Sequence, residues 1–439
     1  MKRRTFSLAA VATLGGMALT SCGGEKAERD ENDRIVVTFW HSMRGNNGDQ
    51  FAKFVEEFND SQSEITINAS EQGMYDEAYT KLLQMVGTGD APDMMQMGKV
   101  RETVDAGMIT PMQDFIDKDD DFDIESLLPV LRASYEVDGT MQYMPQSAST
   151  NVVFYNVDAF KKAGLDPDKP LETFEDFTNA SRTLKENLDL DYGAAFLIDG
   201  GEFQTLMGLQ GQPIFNNGNG REAAPTEAVY NSESGVATMT WIKELYDEGL
   251  TGNYGRSFDD MRQPWYTGQI AMIVDTTAAT IMHTQSADFA FDSMPLPVPK
   301  VGSTGGPAPG GNGLVIFADS PEETQQAAYK FVRFLVSPEI QARWSANTGY
   351  FPVVEDALDD PTLVEAMEKI PALASANDQA LSAGDDPNGL TPLSGVSAST
   401  PLADAWEEVY ADGDPKQVLD KSAAEVTAQL KTYNEANPS

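Results

Sequence analysis

The chain has 439 residues, room for two or three domains of about 150 residues each. Its 41% hydrophobic, 9% aromatic and 23% charged residues suit a globular protein, but 69 acidic against 30 basic residues give a net charge of −39, which argues against nucleic-acid binding because little could neutralise phosphates. One cysteine, Cys22, and two histidines, His41 and His283, exclude an intrachain disulfide and argue against Cys/His zinc sites, and no G-x-S-x-G, P-loop or H-E-x-x-H motif occurs.

Residues 1–21 read as an export signal: Lys2, Arg3 and Arg4 precede an uncharged, apolar stretch from Phe6 to Leu19, too short and wrongly flanked for a membrane span. The segment ends Leu19-Thr20-Ser21-Cys22, which resembles a bacterial lipobox, so Cys22 is expected to be the acylated mature N-terminus. Arg3 and Arg4 also resemble, weakly, a twin-arginine signal. The signal carries three positive charges and no negative one, so the mature chain stands at −42. Residues 22–33 are Gly-rich, then charged, and read as a flexible tether. A lipid anchor on the outer side of the cell membrane follows from this reading.

Ile35 to Trp40 is an apolar, β-branched run and predicts a buried strand. Phe51, Phe54, Val55 and Phe58 recur at helical spacing and predict a helix over 49–59. A strand at Ile65 to Ile67, a helix from Tyr75 to Val86, a turn at 87–92 and a strand at Asp93 to Met97 follow. This β-α-β-α-β order implies a parallel sheet covered by helices. The run Asp117 to Asp123 reads as a solvated acidic loop; an EF-hand would need Gly at Phe122 and Glu at Leu128.

Further on, the pattern predicts strands at 151–155, 270–274 and 314–317. Helices are predicted near 157–163, 173–187, 234–248, 277–284, 321–335 and 338–346, with a largely helical tail over 400–435. Ser320-Pro321-Glu322-Glu323 has the character of a helix start. Trp40 and Trp265 read as core, and His283 as a surface or helix residue.

Five stretches, in order and spacing, resemble the extracellular solute-binding proteins, family 1, of ABC transporters, and within them the glycerol-3-phosphate-binding branch. They are Phe39-Trp40-His41-Ser42-Met43, Thr88 to Pro92, Tyr155 to Pro167, Tyr266 to Met272 and Thr348 to Pro352. The resemblance implies an α/β fold of two lobes joined by crossing hinge segments, with a ligand cleft between them. Lobe I would be 34–150 plus 310–352, and lobe II 151–309 plus 353–439. It also implies a non-catalytic monomer without cofactor or metal. Its partners would be a small carbohydrate and the permease subunits of an importer.

Carried over residue by residue, the resemblance places Tyr75, Ser149, Thr276 or its neighbour Thr277, Gly311 and Tyr350 against ligand. Hydroxyls both donate and accept, and so suit a polyol; tyrosine adds an apolar face for sugar C–H groups. His41 follows the first strand and could line the cleft. Two positions depart from the branch: Lys99 stands where it has a glutamate, and Ser397 where it has an arginine suited to phosphate. These departures favour a neutral oligosaccharide over glycerol 3-phosphate or a glycerophosphodiester. A secreted glycoside hydrolase using two of the many carboxylates is the reading from another class.

Overall fold

The computed structural model describes residues 26–303, 305–381 and 388–438; Cys22 and the export signal lie outside the described residues. The strands among these residues are β1 Ile35–His41, β2 Ile65–Glu71, β3 Met94–Met97, β4 Ile109–Thr110, β5 Glu136–Val137, β6 Thr140–Met141, β7 Met144–Ser149, β8 Asn151–Asn156, β9 Tyr192–Ala195, β10 Ile270–Thr276, β11 Phe291–Met294 and β12 Gly310–Phe317.

The first sheet has the order β2-β1-β3-β12-β4, with β7 also paired to β12. β1 runs parallel to β2 and β3, as the alternating pattern predicts. The sheet becomes mixed because β12, arriving from the far end of the chain, lies antiparallel to β3, β4 and β7. The second sheet has the order β11-β8-β10-β9, with only β9 and β10 parallel. β5 and β6 form a separate hairpin.

Each sheet buries its own core. Phe51, Phe54 and Phe58 form the buried face of the Gly45–Ser61 helix, and Phe51 lies 5.5 Å from Phe39 of β1 and 6.0 Å from Trp344 between ring centroids. In the second core, Phe174 stacks on Trp241 at 3.8 Å. Phe174 opens the helix Phe174–Asn187, whose start is fixed by a capping box between Thr173 and Asp176. The first core continues past residue 352, the expected lobe boundary: Val353, Val354, Ala357 and Leu363 pack in it. These apolar residues follow Tyr350 and Phe351 directly, and the Phe351 amide is already tied to the Ala148 carbonyl at 2.9 Å.

Three expectations change. The 49–59 helix begins four residues earlier, at Gly45. The acidic run is not wholly solvated: Asp119 accepts from Arg333 at 2.6 Å and from the Tyr329 hydroxyl at 3.0 Å. His283 is on a helix, Thr280–Ser286, but is fully buried, its ring 4.7 Å from that of Phe154. Trp265 is buried as expected, and Trp40 is nearly so, with the Lys81 ammonium 4.9 Å above its ring.

His283 is buried because it packs beside a charge pair under the second sheet. Asp275, at the penultimate position of β10, is wholly inaccessible, accepts from Arg262 Nε at 2.6 Å and Nη2 at 2.8 Å, and lies 3.2 Å from His283 Nε2. Burial alone would raise its pKa. The Arg262 hydrogen bonds and charge, with His283 beside them, overcome burial and hold it at about 2, against an ordinary value of 3.8. A folded-state pKa below the unfolded one gives stability that is present above about pH 3.8 and lost as pH falls towards about 2. Replacing Arg262 by Leu strands a buried carboxylate, and should cost about 3–5 kcal/mol. Denaturation midpoints measured from neutral pH down to acid should show that cost at neutral pH and its disappearance in acid.

Candidate ligand-binding site

The two cores meet where β7 passes into β8 with Thr150 alone between them. The Thr150 amide donates to Thr277 Oγ1 at 3.3 Å, and its carbonyl accepts from the Thr277 amide at 2.8 Å. Gln379 Nε2 bonds the Thr150 hydroxyl and the Asn151 carbonyl. A second crossing runs beside it, where Gly310 pairs with Ser149 and Gly311 with Ala148. Gly311 has φ +113°, and a Cβ there would sit 1.9 Å from the Ser147 carbonyl oxygen. Glycine is required at this position on both counts.

A cavity of about 270 Å3 lies over these crossings. The first core supplies Gly98, Arg101, Glu102 and Tyr135 to its wall, and the second supplies Asp199 and Gln204. Ser149, Thr150 and Gly311 line it at the crossings, and Ser394 and Ser399 close the far side. Arg101 is committed to Asp105, whose carboxylate Nε meets at 2.9 Å and which also accepts from the Tyr433 hydroxyl at 2.8 Å. Burial raises the pKa of Glu102, opposed by the Lys99 charge. Asp199 caps the helix Gly200–Gly208 through the Gly201 amide at 3.0 Å.

Of the residues singled out from sequence, Ser149 and Gly311 line this cavity. Tyr75 and Tyr350 meet in a neighbouring polar cluster: their hydroxyls are hydrogen-bonded, with Asn312 also on Tyr75 and Asn47 on Tyr350. Burial raises the pKa of both tyrosines, so both stay neutral. The Tyr350 ring stacks on Trp344 at 5.4 Å. The cluster adjoins the cavity through Gly98, whose Cβ would meet Asn312 Oδ1 at 3.2 Å.

Thr277 is 1% exposed and serves as the clamp on Thr150, while Thr276 accepts from the Ala278 amide; neither lines the cavity. His41 is also outside the wall, packed 5.2 Å from Phe51 with Nδ1 accepting from the Met43 amide, and burial lowers its pKa despite Glu71. Lys99 turns away to Asp76 at 3.2 Å, and Ser397 is exposed. Glu102, Asp199 and Gln204 were not foreseen. Asp199 had a readable signal, an acidic residue before Gly200-Gly201 at a helix start. Glu102 carried none beyond lying one helical turn past Lys99.

The residues 53–374 match the model of the bacterial extracellular solute-binding proteins. The chain belongs to this family. This solute-binding protein is 27% identical over 413 residues to the sn-glycerol-3-phosphate-binding periplasmic protein UgpB of Yersinia pestis, covering 91% of its own length and 93% of that protein. It is 26% identical to UgpB of Escherichia coli strain K12, covering 92% and 94%. Its fold resembles two solved structures. An ABC substrate-binding protein of Listeria monocytogenes, in complex with cycloalternan, matches at TM-score 0.73 and 22% identity, with 91% of this chain and 100% of that chain covered. UgpB of Mycobacterium tuberculosis, in complex with glycerophosphocholine, matches at TM-score 0.74 and 21% identity, with 91% and 98% covered. The solute-binding protein therefore has the two-lobed α/β architecture, and the cavity lies between its two cores.

Replacing Gly311 by Ala should force β12 and β7 apart. A side chain at φ +113° and a contact of 1.9 Å should together cost roughly 2–5 kcal/mol. The thermal midpoint should fall, and Gly310→Ala, whose Cβ would meet Ser149 Oγ at 3.4 Å without a positive φ, should fall far less.

Proposed function

We propose that this protein is the extracytoplasmic, lipid-anchored ligand-binding subunit of an ABC importer, and that it carries a carbohydrate in the interlobe cavity to membrane permease subunits. The observation that carries the reading is a cavity at the strand crossings, walled from both cores by hydroxyl, amide and glycine backbone groups. Such a wall satisfies sugar hydroxyls and rejects analogues that leave its polar groups unpaired. Lobe I would comprise 34–150 and 310–352 and lobe II 151–309 and most of 353–439, with 353–363 assigned to lobe I on its packing. Hinge bending at the crossings would bury the ligand and present one closed shape to the permease. The protein acts as a monomer, without cofactor or catalysis.

The cavity wall supports a non-anionic ligand, a neutral oligosaccharide being the simplest. Among its described residues Arg101 is the one cation, and it is neutralised by Asp105. Lys99 points at Asp76 rather than into the cavity. The reading as a binder of glycerol 3-phosphate or its diesters rests on the curated relatives, which carry that name at 24–27% identity.

A thermal-shift screen over oligosaccharides and phosphodiesters, followed by calorimetric titration at low and moderate salt, tests this. The tightest neutral saccharide should bind with little salt dependence, and no saccharide that binds should release smaller sugars. Ser149→Ala should remove about one hydrogen bond, about 0.5–1.5 kcal/mol, and Lys99→Met should cost less. Strong salt dependence, with Lys99→Met the worse variant, would establish the phosphodiester instead; catalytic release of sugar would establish the hydrolase.

Anchoring is tested separately. Cys22→Ala should move the protein from the membrane fraction to the soluble extracytoplasmic fraction. Unchanged fractionation would end the lipid-anchor proposal.

A further inference from the structure

Two carboxylates enter the cavity from opposite cores: Glu102 from the helix Val100–Asp105 and Asp199 from the start of the helix Gly200–Gly208. Among the described residues neither has a side-chain cation of its own. Lys99, whose charge opposes the effect of burial on Glu102, is bound to Asp76, and Arg101 is bound to Asp105. Asp199 spends Oδ1 on the Gly201 amide, and Oδ2 has no donor among the described residues. Glu202, beside Asp199, is buried with Oε1 unpartnered; burial raises its pKa far above the usual range, so it stays neutral and adds no further negative charge. Tyr135 completes the wall with an aromatic ring, stacked 5.8 Å from Tyr143.

We propose that the cleft selects a polyol or saccharide bearing one ammonium group, with Glu102 and Asp199 as the specificity-determining residues on its two walls. This rests on the carbohydrate reading above and narrows it. Two carboxylates on opposite lobes repel as the lobes close, and closure takes both out of water. A neutral sugar leaves that penalty in place, and a phosphate adds a third negative charge. An ammonium placed between the walls turns repulsion into two charge-assisted hydrogen bonds, each about twice as strong as a neutral one, and the Tyr135 ring adds a cation–π surface. Ser149 and the Gln204–Ser399 pair, joined at 2.9 Å, present polar groups for the ligand hydroxyls. The ligand's charge would then join the lobes, because Glu102 belongs to one core and Asp199 to the other.

The raised pKa of Glu102 fits this arrangement: burial disfavours its charged form, and a bound cation would favour it.

The test uses the full mature chain and two matched probe sets, below the pKa of the amines. The first set is three β-1,4 disaccharides differing only at C2 of both rings: cellobiose, the glucosamine disaccharide, which carries one amine on each ring, and N,N′-diacetylchitobiose. The second is Tris and its neutral isostere pentaerythritol, which removes any dependence on sugar stereochemistry. The amino disaccharide should bind about ten-fold tighter than cellobiose by calorimetry, and Tris should raise the thermal midpoint more than pentaerythritol. Both preferences should shrink in Glu102→Gln and in Asp199→Asn. Asparagine also caps helices well, so the second variant should keep its fold.

Equal or weaker binding of the amines overturns the proposal, and a preference unchanged in both variants overturns the assignment to these residues. Failure of all saccharides while Tris still outperforms pentaerythritol would overturn the carbohydrate reading and leave the charge selectivity standing.

Discussion

The approach of two backbones at Gly311 is the constraint on which the rest of the molecule depends. With the Ser147 carbonyl 1.9 Å from where a Cβ would stand, β12 can lie against β7 at that position only as bare main chain. That pairing brings residue 311 beside residue 148, one residue before Ser149 and two before the chain leaves the first sheet. Both crossings are thereby held side by side, and the cavity floor is set by backbone rather than by side chains that could rotate. The Thr277 clamp on Thr150 adds the end of β10 to the same point. Strands from both sheets thus converge within a few residues of Thr150, and a ligand over them touches both cores.

Buried polar groups hold the approaches to that point. Gln96 of β3 donates to Gln146 of β7 at 2.8 Å, Gln341 Nε2 reaches the Gln146 carbonyl at 3.3 Å, and Gln341 Oε1 accepts from the Val353 amide at 3.0 Å. Such a network demands full satisfaction, so it fixes register more strongly than apolar packing would. Beside the second sheet the Arg262–Asp275 pair does the same for the end of β10, where Asp275 also accepts from the Thr276 amide at 2.8 Å. A buried ion pair gives little net stability over apolar packing, but losing one partner is costly. Its service here is placement: it secures the strand end that carries the Thr276-Thr277 turn.

Local periodicity carried most of the legible fold. β1 to β3 and their helices could be read because apolar residues recur at intervals of one strand face or one helix turn. Helices such as Gly200–Gly208 and Pro371–Leu381 could not: the first opens on two glycines and is buried nearly all round, which erases the amphipathic stripe. β12 was foreseen only from Leu314, since its first four residues, Gly310 to Gly313, are three glycines and one asparagine, and pair as strand only because β7 supplies the ladder. The antiparallel entry of β12 into a sheet begun in parallel depends on contacts more than 200 residues apart, which no local pattern encodes.

The site was legible in part for the same reason. Ser149 and Gly311 lie on the crossings, where motif and geometry coincide. Tyr75 and Tyr350 do meet, but on each other and beside the cavity, a relation visible only once the Tyr350 turn folds back against β7. The substitution at Lys99 reads in sequence as a reversal of charge in the cleft. In three dimensions Lys99 turns to Asp76, and Glu102, one helical turn on, faces the cavity in its place. The charge of the wall therefore stays negative although the residue at the expected position is positive. On a chain whose net charge is −39, carboxylates inside the cleft reinforce the outer field rather than oppose it. An anionic ligand would meet repulsion both on approach and on arrival, and a cation attraction in both.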